Sequence, residues 1–123
     1  MADILVIDDD PQMRQLITRI LRGAGHTVRE AEDGRGGIEA YSERPSALVI
    51  SDIVMPDMDG IEVIRILRGE GAEIPIIAIS GGSDPLYLRA ATALGATASL
   101  KKPFSPEQLT LLVTTLLAGA EQS

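Results

Sequence analysis

Four short stretches set reactive side chains directly after apolar runs. Ile4-Leu5-Val6-Ile7 leads into Asp8-Asp9-Asp10, and Ala47-Leu48-Val49-Ile50 leads into Ser51-Asp52. Ile74-Pro75-Ile76-Ile77-Ala78-Ile79 ends at Ser80, and the segment from Thr97 to Leu100 leads to Lys102. If the fold gathers Asp8, Asp9 and Asp52 at one place, their charges oppose folding. Two unit charges about 4 Å apart repel by roughly 1 kcal/mol in water and about 4 kcal/mol at an effective dielectric of 20. A divalent cation with oxygen ligands and retained waters offsets this, and Mg²⁺ is the usual ion where phosphate is also bound. Lys102 offers a second source of positive charge. Taken singly, each residue has an ordinary role. Asp10 before a proline is a helix N-cap, Asp52 is turn chemistry, Ser80 is a loop serine and Lys102 a surface lysine. Their combined meaning comes from standing at the ends of four different strands.

The intervening sequence must supply those strands. Ile4–Ile7 reads as a buried strand. Met13, Leu16, Ile17, Ile20 and Leu21 recur at helical spacing after Pro11, and Gly23 and Gly25 end that helix. Thr27-Val28 begins a weak strand, Gly34 to Arg44 forms a modest helix stopped by Pro45, and residues 47–50 form a second clear strand. Met55 to Gly60 is a loop and Ile61 to Leu67 a helix. Ile74 to Ile79 is a strand, and Asp84-Pro85 opens a helix, as N-cap and first-turn proline, that runs to Gly95. A short strand lies near Thr97 to Leu100. Ser105-Pro106 then starts a helix carrying Leu109, Leu112, Val113, Leu116 and Leu117 as one stripe. Strands apolar throughout and joined by helices predict an α/β fold, a doubly wound parallel sheet with helices on both faces. Short links and a short chain disfavour a closed barrel. In such open sheets ligands bind beyond the carboxyl ends of the strands, where these residues stand.

The composition sets outer limits. A chain of 123 residues has room for one domain, spanning 1–123, and 45% hydrophobic residues suffice for a real core. Eleven Lys and Arg against 18 Asp and Glu leave a net charge of −7, which repels phosphate backbones and disfavours direct nucleic-acid binding. With no Cys, disulfide scaffolds, thiolate zinc sites and thiol chemistry are excluded. His26 is the one histidine, so multi-imidazole sites are excluded too. No apolar run approaches the roughly 18 residues of a membrane span, and the N-terminus has acids where a secretory signal carries basic residues. A cytoplasmic location is expected, with no membrane partner.

The chain resembles, end to end, a receiver domain of a bacterial two-component response regulator of the single-domain, chemotaxis-regulator type. The resemblance rests on ILVIDDDP with Asp8 and Asp9, SDIVMPDMDG with Asp52, IIAISGG with Ser80, and GATASLKKPF with Lys102. It implies a flavodoxin-like, five-stranded sheet of order 2-1-3-4-5 with five helices. It further implies Mg²⁺-dependent phosphorylation of an aspartate by a histidine kinase or phosphotransfer protein. Carried over by position, Asp52 is the phosphoacceptor. Asp9, Asp52 and the backbone carbonyl of Val54 ligate Mg²⁺, and Asp8 acts mostly through a bound water. Ser80 hydrogen-bonds a phosphoryl oxygen, and Lys102 pairs with the phosphoryl charge. The Lys102-Pro103 bond resembles one that is usually cis in the family. Such a protein is no enzyme beyond assisting its own phosphorylation and dephosphorylation.

Two departures from the family pattern carry consequences. The position three before the site lysine, usually aromatic, is Ser99, which removes the usual rotamer switch. Output then relies on the loop after Ser80 and the helix from Asp84 to Gly95. Alternatively the domain passes phosphoryl groups onward or acts as a phosphate sink. The positions two beyond the acceptor and two beyond the serine are Val54 and Gly82, neither with a side chain that positions water, so slow self-dephosphorylation is expected. Leu86, Tyr87, Leu88 and Leu111 are more apolar side chains than one helix face holds. They are expected to include part of an output-partner or homodimer surface on the last two helices. The chain is expected to be a stand-alone receiver or one cut from a longer protein.

Two rival functions differ in class. A haloacid-dehalogenase-like phosphatase would use Asp8 as nucleophile with Asp10 two residues on, whereas a receiver uses Asp52. A phosphorylation-independent interaction module would leave the acids without metal.

Overall fold

The computed structural model describes residues 1–81 and 85–121. Its elements alternate strictly: β1 (Asp3–Ile7), α1 (Pro11–Gly23), β2 (Thr27–Ala31), α2 (Gly34–Glu43), β3 (Leu48–Asp52), α3 (Gly60–Gly69), β4 (Ile76–Ser80), α4 (Pro85–Ala93), β5 (Ala98–Lys101) and α5 (Pro106–Glu121). The five strands are all parallel, in the order β2-β1-β3-β4-β5. This is the doubly wound, flavodoxin-like arrangement expected from the sequence.

The central strands are apolar on both faces because helices cover both. Leu5, Ile7, Val49 and Ala78 pack with Val63, Ile64 and Leu67 of α3 and Ala91 of α4. The alternate residues Ile4, Val6, Leu48, Ile50, Ile77 and Ile79 pack with Ile17 and Leu21 of α1 and Leu109 and Val113 of α5. Each such buried aliphatic side chain contributes about 1.5–3 kcal/mol relative to exposure.

Several boundaries differ from the sequence reading for identifiable reasons. β2 runs a full five residues, in register with β1 from Asp3↔Thr27 to Ile7↔Ala31. It is an edge strand, so Arg29 and Glu30 sit within it without being buried. β4 begins at Ile76 rather than Ile74; Pro75 has no N–H to give, although its carbonyl accepts from the Val49 N–H at 3.0 Å. α3 begins at Gly60, one residue before the expected Ile61, because Asp59 caps it by accepting from the Glu62 N–H. Asp10 and Asp33 cap α1 and α2 in the same way. At α5, the Ser105 hydroxyl accepts from the Gln108 N–H while the Gln108 amide oxygen accepts from the Ser105 N–H, a reciprocal capping box. The N-cap expected at Asp84 lies outside the described residues, as do Gly82 and the last two residues.

Candidate functional site

The carboxyl ends of β1, β3, β4 and β5 converge, and with them Asp8, Asp52, Ser80 and Lys102. Asp8 follows β1 and is 1% exposed; Asp52 closes β3 and is 7% exposed. Parallel pairing sets Ile7 beside Ser51 and Asp52 beside Ile79, so these side chains share one edge without any long-range bend of the chain. One carboxylate oxygen from each of Asp8, Asp9 and Asp52 lies within 4.8 Å of the others. Asp9 is the exposed member of the three.

The two oxygens of the buried Asp8 carboxylate are unequally bonded. Asp8 Oδ1 accepts from the Asp10 N–H at 2.9 Å, whereas Asp8 Oδ2 is buried and has no hydrogen-bond partner among the described residues. An unpaired buried carboxylate oxygen is costly, roughly 1–3 kcal/mol or more. Burial is the main reason the Asp8 carboxyl is pushed up to about 6. The neighbouring charges of Asp52 and Asp9 add to this, while the Asp10 N–H and the Lys102 ammonium oppose it. Three hard oxygen donors with one buried lone pair unspent form the donor set that suits Mg²⁺.

Lys102 supplies the opposing charge. Its ammonium lies 3.3 Å from Asp52 Oδ2. The chain reaches this point from β5: the Lys102 N–H donates to the Ser80 carbonyl at 2.8 Å, and the Lys102–Pro103 bond is cis. Gly81 lines the lysine's path, since a Cβ there would stand 3.2 Å from Lys102 Cδ. Ser80 closes β4 and is fully buried. Val54 lies in the loop two residues beyond Asp52 with an exposed side chain. Asp10 stands apart from the cluster in role, since its Oδ1 accepts from the Gln12 N–H and caps α1.

Other expectations divide. Ser99 is exposed on β5. Leu86, Tyr87 and Leu111 are exposed, whereas Leu88 is half-buried: it packs against the core beneath α4 and also lines a shallow surface depression with Arg89, Thr92 and Ala93. A concavity of about 950 Å³ at the opposite edge, lined by Asp3, Pro75, Thr97 and Leu116 among others, holds none of the candidate residues.

Two positioning features escaped the sequence reading. Gly60 packs directly on the main chain of Asp52, and Arg14 of α1 donates to the Asp8 carbonyl at 2.8 Å. Each had a detectable signal. Gly60 opens a helix instead of ending one, and Arg14 puts a cation in a first helical turn, where the helix dipole favours acids.

Comparison with known proteins agrees with this geometry. The response regulator receiver domain family matches residues 4–114. Response regulator MprA of Mycobacterium tuberculosis is 39% identical over 115 residues, 93% of this chain and 50% of that protein. The DNA-binding response regulator MtrA of Mycolicibacterium smegmatis is 34% identical over 118 residues, 96% of this chain and 51% of that protein. The chain thus spans about half the length of the curated relatives it matches. Among solved structures, the chemotaxis protein CheY4 of Vibrio cholerae superposes with a TM-score of 0.88 at 32% identity, covering 94% of this chain and 98% of that one. NtrX of Brucella abortus gives 0.93 at 31% identity, covering 98% of this chain and 28% of that one.

Proposed function

The chain belongs to the response regulator receiver domain family, and on that premise we propose that Asp52 is the residue on which it accepts a phosphoryl group. Receiver domains are signalling modules that bind Mg²⁺ at an acidic pocket, and Asp8, Asp9 and Asp52 form such a cluster. The observation that carries the reading is this cluster together with the Lys102 ammonium 3.3 Å from Asp52 Oδ2.

In the proposed reaction an Asp52 carboxylate oxygen attacks the phosphorus of a phosphohistidine on a histidine kinase or phosphotransfer protein. A P–O bond forms, the P–N bond breaks, and the departing imidazole takes up a proton. Phosphoryl transfer needs positioning and charge neutralisation more than covalent help. Asp8, Asp9, Asp52 and the Val54 carbonyl would hold Mg²⁺, which neutralises charge on the phosphoryl oxygens when bound. Lys102 exchanges its contact with the Asp52 carboxylate for one with the phosphoryl group. Ser80 donates its hydroxyl to a phosphoryl oxygen, and Gly81 leaves room for that approach. The chain acts on its own phosphoryl group and not on a separate substrate, as a single receiver domain over 1–123 in the cytoplasm.

Ser99 shapes the output. With no aromatic side chain at this exposed position, signalling relies on the loop after Ser80 and on α4, with Leu86, Tyr87 and Leu111 as the apolar surface offered to an output protein or second copy. The same feature favours onward phosphotransfer, or a phosphate sink, as a second reading. Val54 positions no water, so the phosphorylated form is expected to hydrolyse slowly for its family.

Intact mass measurement after incubation with acetyl phosphate and Mg²⁺, followed by mapping, tests the proposal. One added phosphoryl group on Asp52 is expected. Modification of Asp8 instead would support the phosphatase chemistry, and no modification with no Mg²⁺ binding would support a phosphorylation-independent module.

A further inference from the structure

Asp8 is held by more than its own strand. Its N–H donates to the Ala31 carbonyl at the end of β2 at 3.1 Å, and its carbonyl accepts from Arg14 Nη1 at 2.8 Å. Arg14 is in turn fixed by Glu30, with Nε 3.1 Å from Oε1, and Glu30 pairs in register with Val6. Both sides of the Asp8 main chain are therefore tied to β2, one directly and one through a guanidinium. The Asp8 carbonyl belongs to the peptide that joins Asp8 to Asp9. Holding its plane fixes where the Asp9 side chain leaves the backbone. Asp9 needs this, because among the described residues its own carboxylate makes no hydrogen bond or ion pair.

We propose that Arg14, oriented by Glu30, is a positioning residue for the acidic cluster: it holds the Asp8–Asp9 peptide so that the carboxylates converge on a divalent cation. The inference rests on the reading of Asp8, Asp9 and Asp52 as the Mg²⁺ site. Arg14 and Glu30 together carry no net charge, so they do not neutralise the cluster from a distance; their effect is geometric. Arg14 also stands in the first turn of α1, where a cation is disfavoured by the helix dipole, so the contact it makes must offset that cost.

The test is the Mg²⁺ dissociation constant of the full chain by calorimetric titration, with melting in EDTA measured alongside. Arg14→Met combined with Glu30→Gln removes one charge of each sign, so the net charge is kept. Partners that orient metal ligands are typically worth 10–100-fold in affinity, and about tenfold weaker Mg²⁺ binding is expected here. The phosphorylation rate with acetyl phosphate at saturating Mg²⁺ should stay within about twofold of the parent, which separates positioning from chemistry. Arg14→Lys keeps the charge and most of the stem but cannot bridge both oxygens; about threefold weaker binding is expected, a fraction of the same loss. It serves if the double variant does not fold. A role confined to structure would lower melting in EDTA and leave the dissociation constant unchanged, and that result overturns the inference. Parent protein that binds no Mg²⁺ would overturn the metal reading itself and this inference with it.

Discussion

Gly60, the first residue of α3, lies against the main chain of Asp52: a Cβ at this position would fall 2.1 Å from the Asp52 carbonyl oxygen and 2.8 Å from Ile53 Cα. The Gly60 N–H also donates to the Ile53 carbonyl at 2.8 Å. The helix start and the end of β3 are thus in backbone contact that no side chain permits. Gly60→Ala must move one of the two, and a loss of about 3 kcal/mol or more is expected in urea unfolding. Gly69→Ala, at the other end of the same helix, meets nothing within 4 Å. It should be neutral or stabilising by up to about 1 kcal/mol. Equal effects of the two substitutions would show that the close approach is not what Gly60 supplies.

Removing charge from the cluster should stabilise the metal-free fold, but unequally. Asp9 is exposed and forms no ion pair among the described residues, so Asp9→Asn relieves repulsion at no cost in pairing and should raise stability in EDTA by about 1 kcal/mol or less. Asp52→Asn relieves the same repulsion but strips Lys102 of its carboxylate 3.3 Å away, so its gain should be smaller. Mg²⁺ should raise the melting temperature of the parent more than that of either variant. Thermal melts with and without Mg²⁺ check all three points.

The Asp8 carboxyl makes the metal-free fold pH-dependent with a definite sign. Its pKa rises from 3.8 to about 6 on folding. Between these values the folded chain binds a proton that the unfolded chain does not, so this group's stabilisation is lost as pH rises from about 4 to about 6. The charges of Asp52 and Asp9, the Lys102 ammonium and the Asp10 N–H all face the group, and Asp8→Asn removes its titration while leaving them in place. Urea unfolding in EDTA should show the parent losing about 3 kcal/mol relative to Asp8→Asn over that interval, as an upper bound. With saturating Mg²⁺ the trend should reverse, because ligation requires the deprotonated acid. A parallel pH profile for the two proteins in EDTA would refute the assignment.

What was legible in the sequence follows from which interactions are local. Ile4–Ile7, Leu48–Ile50 and Ile76–Ile79 announce themselves because burial on both faces removes polar residues from the strand altogether. Asp8, Asp9, Asp52, Ser80 and Lys102 are legible for a related reason: each ends or closely follows a strand, and parallel strands share one carboxyl edge. β2 was almost hidden, since an edge strand tolerates Arg29 and Glu30, whose partners Asp3 and Arg14 lie far off in the chain. The placement of Gly60 and Arg14 is unusual enough to notice, but what these two and Arg68 bind could not be read, because each acts on backbone atoms of another segment, and a carbonyl leaves no mark in residue type.

Arg68 shows the consequence for stability. Near the end of α3 it reads as a cation suited to a helix C-terminus, yet among the described residues its guanidinium is bound by no carboxylate. Nη1 donates to the carbonyls of Ala72 and Ile74 at 2.9 and 2.7 Å, Nε to that of Gly95 at 3.0 Å, and Nη2 to the Thr97 hydroxyl oxygen at 3.2 Å. That oxygen also accepts from the Ile76 N–H at 3.1 Å. One side chain thus joins the ends of α3 and α4 to the starts of β4 and β5. Gly95 permits this with φ +122 and no Cβ, which would lie 2.7 Å from Arg68 Cγ. A lysine cannot span four acceptors in a fixed fork. Arg68→Lys should therefore lose about 2–3 kcal/mol in urea unfolding, from carbonyls left without a donor. These contacts lie at the opposite edge of the sheet from Asp52, so labelling of folded Arg68→Lys by acetyl phosphate should keep the parent rate within about twofold, as for distant independent sites. A large drop in labelling with unchanged stability would show that this clamp acts on the site, and not, as its geometry indicates, on the frame that carries it.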